Sequence, residues 1–235
     1  MKDKTRQKAL EHAKSEFPRE MCGLVVLRKG RESYFPCRND AQSSEHFILN
    51  PEDYAAAEDK GEITAIIHSH PNASANPSEA DRVSCEASGV VWHIVGLPSE
   101  VWKDVVPCGY KAPMVGREFH YGVTDCFTLV QDWYRDELGV QLDRVPSVDG
   151  WWKKNENFYV EKFDDTGLFE KVTGDLQRGD VILMNIGSDV ANHTALYLGD
   201  GVMLHHLYGR LSTREIYGGY YVKHTVTTLR LKETK

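Results

Sequence analysis

The chain has 235 residues, of which 41% are hydrophobic and 27% are charged, and its formal net charge at pH 7 is −7. This composition favours folded domains over disorder, and the excess of acidic residues argues against a nucleic-acid-binding surface. No run approaches the roughly 20 apolar residues that a membrane-spanning helix needs. The N-terminal residues lack the apolar stretch of a signal peptide, so we expect synthesis in a cytoplasm and no membrane span.

The first part of the chain alternates between predicted helices and strands. Apolar residues at helical spacing predict a helix over 4–17. The pattern then predicts a hairpin over 22–37 that turns at Lys29-Gly30, a helix capped by Asn50, a strand over 62–70, a helix over 77–88 and a strand over 89–97. We therefore expect one domain over 1–106 that combines helices and strands.

Residues 105–122 contain prolines and glycines without regular periodicity, which indicates a linker. After it the order changes to one helix that starts near Cys126, a Trp-rich connecting segment and a strand-rich end. The predicted strands cover 179–186, 193–201, 202–209 and 220–231. A helix followed by antiparallel strands is an α+β pattern. We expect a second α+β domain over 112–235.

The sequence HSHPNASANPSEAD places four polar residues where the predicted strand over 62–70 passes into the next helix. His68 and His70 are two apart on a strand, so both side chains point to the same side. Asp81 falls three residues after Ser78, in the first turn of the helix. Two imidazoles and one carboxylate suit Zn²⁺ and leave a fourth position for water. That water needs a general base, for which Glu20 is a candidate.

These residues resemble the signature of the JAMM (MPN-type) metalloproteases, with PREMCG around Glu20 and HSHP among the matching parts. The resemblance implies Zn²⁺ on His68, His70 and Asp81, with Glu20 as general acid/base. It also implies that Ser78 helps to hold the oxyanion of a tetrahedral intermediate. The implied fold is an α/β/α mixed-sheet domain, and the implied reaction is hydrolysis of a peptide or isopeptide bond.

Cys126 opens a predicted helix, where the helix dipole and free backbone N–H groups favour a thiolate. A thiolate that acts in hydrolysis needs an oriented histidine as proton shuttle. His193 begins one predicted strand, and His205 lies on the next, after a turn at Gly199-Asp200-Gly201. Antiparallel pairing about that turn brings the two imidazoles to similar heights, so we expect His205 to orient His193.

The second half resembles the NlpC-type cysteine peptidases, which have a papain-like core. The matching text is FHYGVTDCFTLV, LQRGDVILM, HTALYLGDG and MLHH. The resemblance implies that Cys126, His193 and His205 are catalytic and that the substrate is a peptidoglycan stem peptide. The family's usual Ser-Gly after the Asp-Cys pair is replaced here by Phe127-Thr128, which leaves the bond specificity open.

The remaining cysteines are expected to be reduced, buried core residues, since their spacing suits neither a zinc ribbon nor a disulfide framework. They are Cys22, Cys37, Cys85 and Cys108. His206 is expected to face away from His205 and to be structural. An aromatic cluster is expected to pack in the core rather than bind a cofactor, and the alternative is that it lines a groove for a glycan or peptide strand. It comprises Trp133, Tyr134, Trp151, Trp152, Phe158 and Tyr159.

A JAMM-type module followed by an NlpC-type module in one short chain is similar to tail tip proteins of lambda-like siphophages. This resemblance implies a location in the virion tail tip, other phage tail tip proteins as partners, and wall opening during infection by the cysteine site. The metal site is then expected to process a tail protein or cut a second bond. Two alternatives stay open: a structural tail assembly factor with latent sites, and a bacterial JAMM-type processing protease.

Overall fold

The computed structural model describes residues 1–42, 46–143, 151–154 and 157–232. The chain divides into two compact units, Met1–Lys111 and Ala112–Lys235, each built around its own sheet. Both units combine helices with strands, and the predicted α+β fold class is confirmed. None of the described helices has the length and apolar character that crossing a membrane requires.

The first unit holds a five-stranded mixed sheet. Its elements are α1 (Asp3–Glu16), β1 (Cys22–Arg28), β2 (Arg31–Cys37), α2 (Pro51–Glu58), β3 (Glu62–Pro71), α3 (Glu79–Ser88), β4 (Val91–Leu97) and β5 (Val101–Val105). The strand order is β2-β1-β3-β4-β5, in which β3 and β4 are parallel and the other neighbours are antiparallel. The parallel pair is joined through α3, which crosses over the sheet.

Helices cover both faces of this sheet. Ala9 and Ala13 of α1 pack on one face, against alternate residues of β1, β3 and β4. Ala57 of α2 and Cys85 of α3 pack on the other face, against Leu24 and the remaining alternate residues. Burial on both faces explains why β1 and β3 carry nearly continuous apolar runs rather than a strict alternation. The result is the predicted α/β/α mixed-sheet arrangement.

The second unit packs its first helix against an antiparallel six-stranded sheet. Its elements are α4 (Cys126–Trp133), a π-helical turn (Tyr134–Leu138), a 3₁₀ turn (Trp151–Lys154), α5 (Phe158–Asp165), β6 (Phe169–Lys171), β7 (Val181–Met184), β8 (His193–Gly199), β9 (Val202–His205), β10 (Thr213–Ile216), α6 (Tyr220–Lys223) and β11 (Thr225–Leu231). The strand order is β10-β9-β8-β7-β11-β6. This is the predicted helix-plus-antiparallel-sheet arrangement.

The main core of the second unit lies between α4, α5 and one face of the sheet. The aromatic cluster contributes to it, as predicted: four of its side chains are buried and the other two pack against them. The buried members are Trp133, Tyr134, Trp151 and Tyr159. A smaller cluster that includes Ile182, Met184, Ala195 and Met203 covers the opposite face.

The structure departs from the sequence prediction in several places. β5, β6, β10 and α5 were not predicted. A single strand was expected over 220–231, but this segment begins with the one-turn helix α6. Gly219, which precedes the helix, has a positive φ of 50° that favours glycine. Cys108 is exposed, so the expectation that all four remaining cysteines are buried was wrong for this one.

Candidate metal centre and thiol site

Two imidazoles meet at the carboxyl-terminal end of β3. His68 and His70 alternate with Ser69 on this strand, so their side chains project from the same face of the sheet. β3 lies between β1 and β4 in the sheet, and on it His68 is completely buried and His70 is partly buried. Their Nε2 atoms are 3.0 Å apart. The strand therefore directs two nitrogen donors to one point.

Asp81 brings an oxygen donor to the same point from α3. Ser78 caps this helix: its hydroxyl accepts from the N–H of Asp81 at 3.1 Å, and its own N–H donates to Asp81 Oδ2 at 2.7 Å. This capping box holds the carboxylate with Oδ1 3.1 Å from His68 Nε2 and Oδ2 3.3 Å from His70 Nε2. Donor atoms of His68, His70 and Asp81 lie within 4.8 Å of one another.

Contacts behind the two histidines orient their rings. His70 Nδ1 is 2.9 Å from the Ser74 carbonyl, which accepts only, so Nδ1 carries a proton and Nε2 is the nitrogen that faces Asp81. The His68 ring packs against Phe47 and Trp92, with ring centroids 4.8 and 5.4 Å away. Its Nδ1 is buried and has no hydrogen-bond partner among the described residues. Each ring therefore presents Nε2 to the cluster.

The electrostatics of the cluster favour a charged carboxylate beside a neutral His68. Although burial alone would raise it, the pKa of Asp81 lies well below its usual range because both histidines hydrogen-bond to the carboxylate. Burial lowers the pKa of His68. The pKa of His70 is raised, since Asp81 and the Ser74 carbonyl outweigh the effect of its burial. A cation that replaces the shared protons would suit this set of donors.

Glu20 lies beside the cluster at the start of β1. Cys22 pairs with His68 in the antiparallel register, and the same register continued by two residues places Glu20 opposite His70. Burial raises the pKa of Glu20 to about 8, an effect that the charge of His70 opposes and that of Asp81 reinforces. A carboxyl group in this environment exchanges a proton near neutral pH, as a general acid/base requires.

The donor set fits Zn²⁺. Imidazole nitrogen and carboxylate oxygen bind zinc at about 2.0–2.2 Å in tetrahedral sites, which puts neighbouring ligand atoms about 3.3–3.6 Å apart. Here the two Nε2 atoms are 3.0 Å apart, and each lies near a different oxygen of Asp81, His68 at 3.1 Å from Oδ1 and His70 at 3.3 Å from Oδ2. Within the described part of the chain this is the one group of His, Cys, Asp and Glu residues with metal-binding geometry. Three protein donors leave a fourth position open.

Cys126 stands at the first position of α4, as the sequence predicts. Asp125 is the N-cap, and its carboxylate accepts from the N–H of Thr128 at 2.9 Å while the Thr128 hydroxyl accepts from the N–H of Asp125. The thiol is only 5% exposed, and Tyr159 Oη lies 3.6 Å from its sulfur. Burial first, and then the charge of Asp125, raise the pKa of Cys126 to about 11 despite nearby groups of Thr194 and Tyr159. The resting thiol is therefore protonated.

His193 and His205 form the predicted pair across β8 and β9. His193 Nε2 and His205 Nδ1 are 3.1 Å apart, and both rings are buried. Burial, with the neighbouring His205, lowers the pKa of His193 to about 3. Their strand partners Met184 and Ala195 belong to the smaller cluster, on the opposite face from α4. Among the contacts of the described residues, no hydrogen bond joins Cys126 to either imidazole.

Comparison with known proteins divides the chain in the same way. Residues 2–105 match the family of prokaryotic homologs of the JAB domain, and residues 116–230 match the NlpC/P60 family. Over its whole length the chain is 41% identical to the tail tip assembly protein K of Escherichia phage N15, covering 97% of that protein. The chain belongs to the family of tail tip assembly protein K.

A second member of the K family, from Escherichia phage lambda, is 40% identical over 72% of this chain and 82% of its own length. Among solved structures, a JAB1/MPN domain protein from Archaeoglobus fulgidus is 25% identical with a TM-score of 0.31, covering 46% of this chain and 90% of that one. Membership in the K family makes the chain a phage tail tip assembly protein with JAB-like and NlpC/P60 domains. It favours this interpretation over a bacterial processing protease.

Two residues of the NlpC/P60 domain lie at the predicted site although the sequence assigned them no role there. Tyr159 contacts the thiol, whereas the sequence placed it only in the aromatic cluster. Glu215 lies next to His205, with 3.7 Å between Oε1 and Nε2. Neither residue has a motif or spacing that marks it, because both reach the site through tertiary packing. The roles of all the predicted site residues stay predictions.

Proposed function

We propose that this tail tip protein carries two hydrolase sites, one in each of the domains predicted over 1–106 and 112–235. The first is a zinc-dependent peptidase or isopeptidase that processes a tail protein. The second is a Cys-His-His endopeptidase that cuts peptidoglycan stem peptides during infection. The observation that carries the proposal is the convergence of His68, His70 and Asp81 within 4.8 Å at the end of one strand and the start of one helix.

In the metal site, His68, His70 and Asp81 would hold Zn²⁺. When bound, the ion would supply Lewis-acid chemistry, which would polarise a scissile carbonyl and lower the pKa of water. Glu20 accepts a proton from the attacking water and returns it to the leaving nitrogen. The Ser78 hydroxyl oxygen accepts the hydrogen bond from the N–H of Asp81 at the helix cap. Its hydrogen remains available to donate to the developing oxyanion.

In the cysteine site, Cys126 is the nucleophile, His193 is its base and His205 orients His193. The proton leaves Sγ for a nitrogen of His193, which gives a thiolate and an imidazolium at the N-terminus of α4. The helix dipole and the unpaired N–H groups of its first turn stabilise the negative charge. In the resting structure Tyr159 contacts the thiol and the strand partners of the histidines lie on the sheet face opposite α4, so the thiol must first be uncovered and brought to His193.

A specific observation favours a second candidate function. Cys126 is 5% exposed and its thiol is protonated at rest, so the cysteine site matches a tail assembly factor whose hydrolase is latent in the free protein. In that case contact with other tail tip proteins or with the wall opens the site. Both candidates have the chain made in the host cytoplasm and built into the virion tail tip, where the partners are other tail tip proteins.

Digestion of purified peptidoglycan tests the proposal. Wild type, Cys126→Ala and the double variant His68→Ala/His70→Ala are incubated with cell wall, and released muropeptides are identified by mass spectrometry. We expect loss of cleavage in the cysteine variant alone, which would leave a protein substrate for the metal site. Undiminished cleavage by Cys126→Ala would contradict the cysteine assignment. No cleavage by any of the three would support the latent assembly factor.

A further inference from the structure

One ring nitrogen of His205 has a hydrogen-bond partner among the described residues, and the other has none. Its Nδ1 lies 3.1 Å from His193 Nε2. Its Nε2 is buried without a hydrogen-bond partner among the described residues, in a side chain that is 1% exposed. The acceptor that faces this nitrogen is Glu215 Oε1, at 3.7 Å. Because buried polar atoms are rarely left without a partner, we infer that a small side-chain movement brings Nε2 and Oε1 within hydrogen-bond distance.

Pairing in the sheet brings Glu215 to this position. His205 pairs with Thr213 and Met203 pairs with Glu215, so His205 and Glu215 are diagonal neighbours on the same face of β9 and β10. The Tyr221 hydroxyl donates to Glu215 Oε2 at 2.6 Å, and its ring stands edge-on to His205, with centroids 5.1 Å apart. Arg210 Nη1 lies 3.8 Å from Oε1. The carboxylate is therefore fixed from several sides.

The protonation of Glu215 decides which way the hydrogen bonds run. The Tyr221 hydrogen bond is the main cause that lowers the pKa of this carboxyl group, so it is ionised at neutral pH and only accepts. A neutral imidazole has one donor and one acceptor nitrogen. With a carboxylate facing Nε2, the proton of His205 belongs on Nε2, and Nδ1 must accept. His193 then donates from Nε2 and keeps its Nδ1 unprotonated.

We propose that Glu215 is a positioning residue that acts through His205 to hold His193 in the tautomer whose Nδ1 is unprotonated. The inference rests on the proposed cysteine peptidase, in which that nitrogen takes the proton from Cys126. The S–H bond breaks, an N–H bond forms at Nδ1, and the thiolate and imidazolium result. The negative charge of Glu215, relayed through the His205 ring, stabilises the positive charge that forms on His193.

The tautomers can be measured without any activity assay. The full chain is labelled with ¹⁵N-histidine, and two-bond ¹⁵N–¹H correlation spectra are recorded near pH 7.5 for wild type, Glu215→Gln and Glu215→Asp. A matched control is Glu170→Gln, which changes an exposed glutamate on β6, at the opposite edge of the same sheet. His193 and His205 signals are assigned by substituting each in turn.

We expect wild type, Glu215→Asp and Glu170→Gln to show both rings protonated on Nε2. Glu215→Gln offers an amide donor as well as an acceptor, so this preference is lost. In peptidoglycan digestion, Glu215→Gln is expected to lower kcat about tenfold or more with little change in KM, since a positioned general base contributes ~10²–10⁴-fold. The aspartate variant, which keeps the charge, is expected to retain most of the activity.

Unchanged tautomers in Glu215→Gln, in a protein that is folded by circular dichroism, would overturn the inference even if the wall is cleaved. A tautomer shift in proteins that cleave no peptidoglycan would support the positioning role and count against the proposed hydrolase. The two failures are therefore distinguished by the spectra and by the digestion.

Discussion

The hydroxyl of Tyr159 lies 3.6 Å from the sulfur of Cys126, and the two side chains are 4% and 5% exposed. Tyr159 belongs to α5, where it stacks on Phe127 and packs edge-on against Trp151, with ring centroids 5.7 and 5.0 Å away. The thiol thus opens a helix, as a reactive thiol would, and is covered by an aromatic cluster. The accessibility of Cys126 is the quantity that separates the two candidate functions.

Alkylation measures this accessibility directly. Cys108 is a free, exposed cysteine in the same chain and serves as an internal reference. We expect iodoacetamide near pH 8 to modify Cys108 at least tenfold faster than Cys126, because at a pKa of about 11 only about one Cys126 in a thousand is a thiolate. Peptide mass spectrometry reads both rates. Tyr159→Ala is expected to increase the alkylation rate of Cys126. Tyr159→Phe keeps the ring and is expected to leave that rate low.

The pH profile of the same reaction tests the protonation state. The thiol pKa is raised to about 11 and the His193 pKa is lowered to about 3, so both groups are neutral across the physiological range. The alkylation rate of Cys126 is therefore expected to rise about tenfold per unit from pH 7 until it levels near pH 11. A plateau already present at pH 6 would instead indicate a preformed thiolate-imidazolium pair, against this expectation.

Zinc binding tests the metal centre independently of any substrate. We expect one Zn²⁺ per chain by elemental analysis, and a free energy of unfolding higher by about 2.7 kcal/mol at a free zinc concentration of 100 times Kd. Asp81→Asn is expected to lose most of the affinity, because it removes the negative charge between the two imidazoles. His224→Ala changes a half-buried histidine of the other unit, and this variant should bind zinc as wild type does. Equal zinc binding by Asp81→Asn would remove Asp81 from the ligand set.

Ser78 links the helix cap to the metal site. Ser78→Ala removes the acceptor for the N–H of Asp81, and loss of such a cap costs about 1 kcal/mol of unfolding free energy. We expect weaker zinc binding as well, since the capping box also positions the carboxylate. Ser78→Thr keeps a hydroxyl acceptor and is expected to restore both properties, which chemical denaturation and calorimetric titration would measure. A normal zinc affinity in a destabilised Ser78→Ala protein would separate capping from metal binding.

Much of the candidate metal site could be predicted from the sequence because its geometry is local. Two histidines at positions i and i+2 of a strand share a face whatever surrounds them. Ser78 and Asp81 are at the two ends of a capping box, whose spacing is set by the helix itself. The contact between these two local pieces follows from the short connection between β3 and α3. Glu20 lies further off along the chain, and the resemblance to JAMM proteins pointed to it.

The errors in predicting the fold from the sequence have a different origin. The edge strand β10 is only four residues long and alternates between partly buried and exposed positions, which gives little apolar signal. The aromatic and β-branched residues over 220–231 favour a strand, yet Tyr220–Lys223 form one helical turn. There the Tyr221 hydroxyl bonds to Glu215 of β10, a contact that local propensity does not contain.

By itself, the sequence determined the two-domain organisation, the position of the donor triad and the placement of Cys126 at a helix start, since each depends on spacing along a few residues. Only the tertiary structure decided that Tyr159 covers the thiol and that Glu215 faces His205. The first contact joins residues 33 apart, and the second depends on which strand pairs with β9. Such contacts are set by the packing of whole elements, and no short motif encodes them.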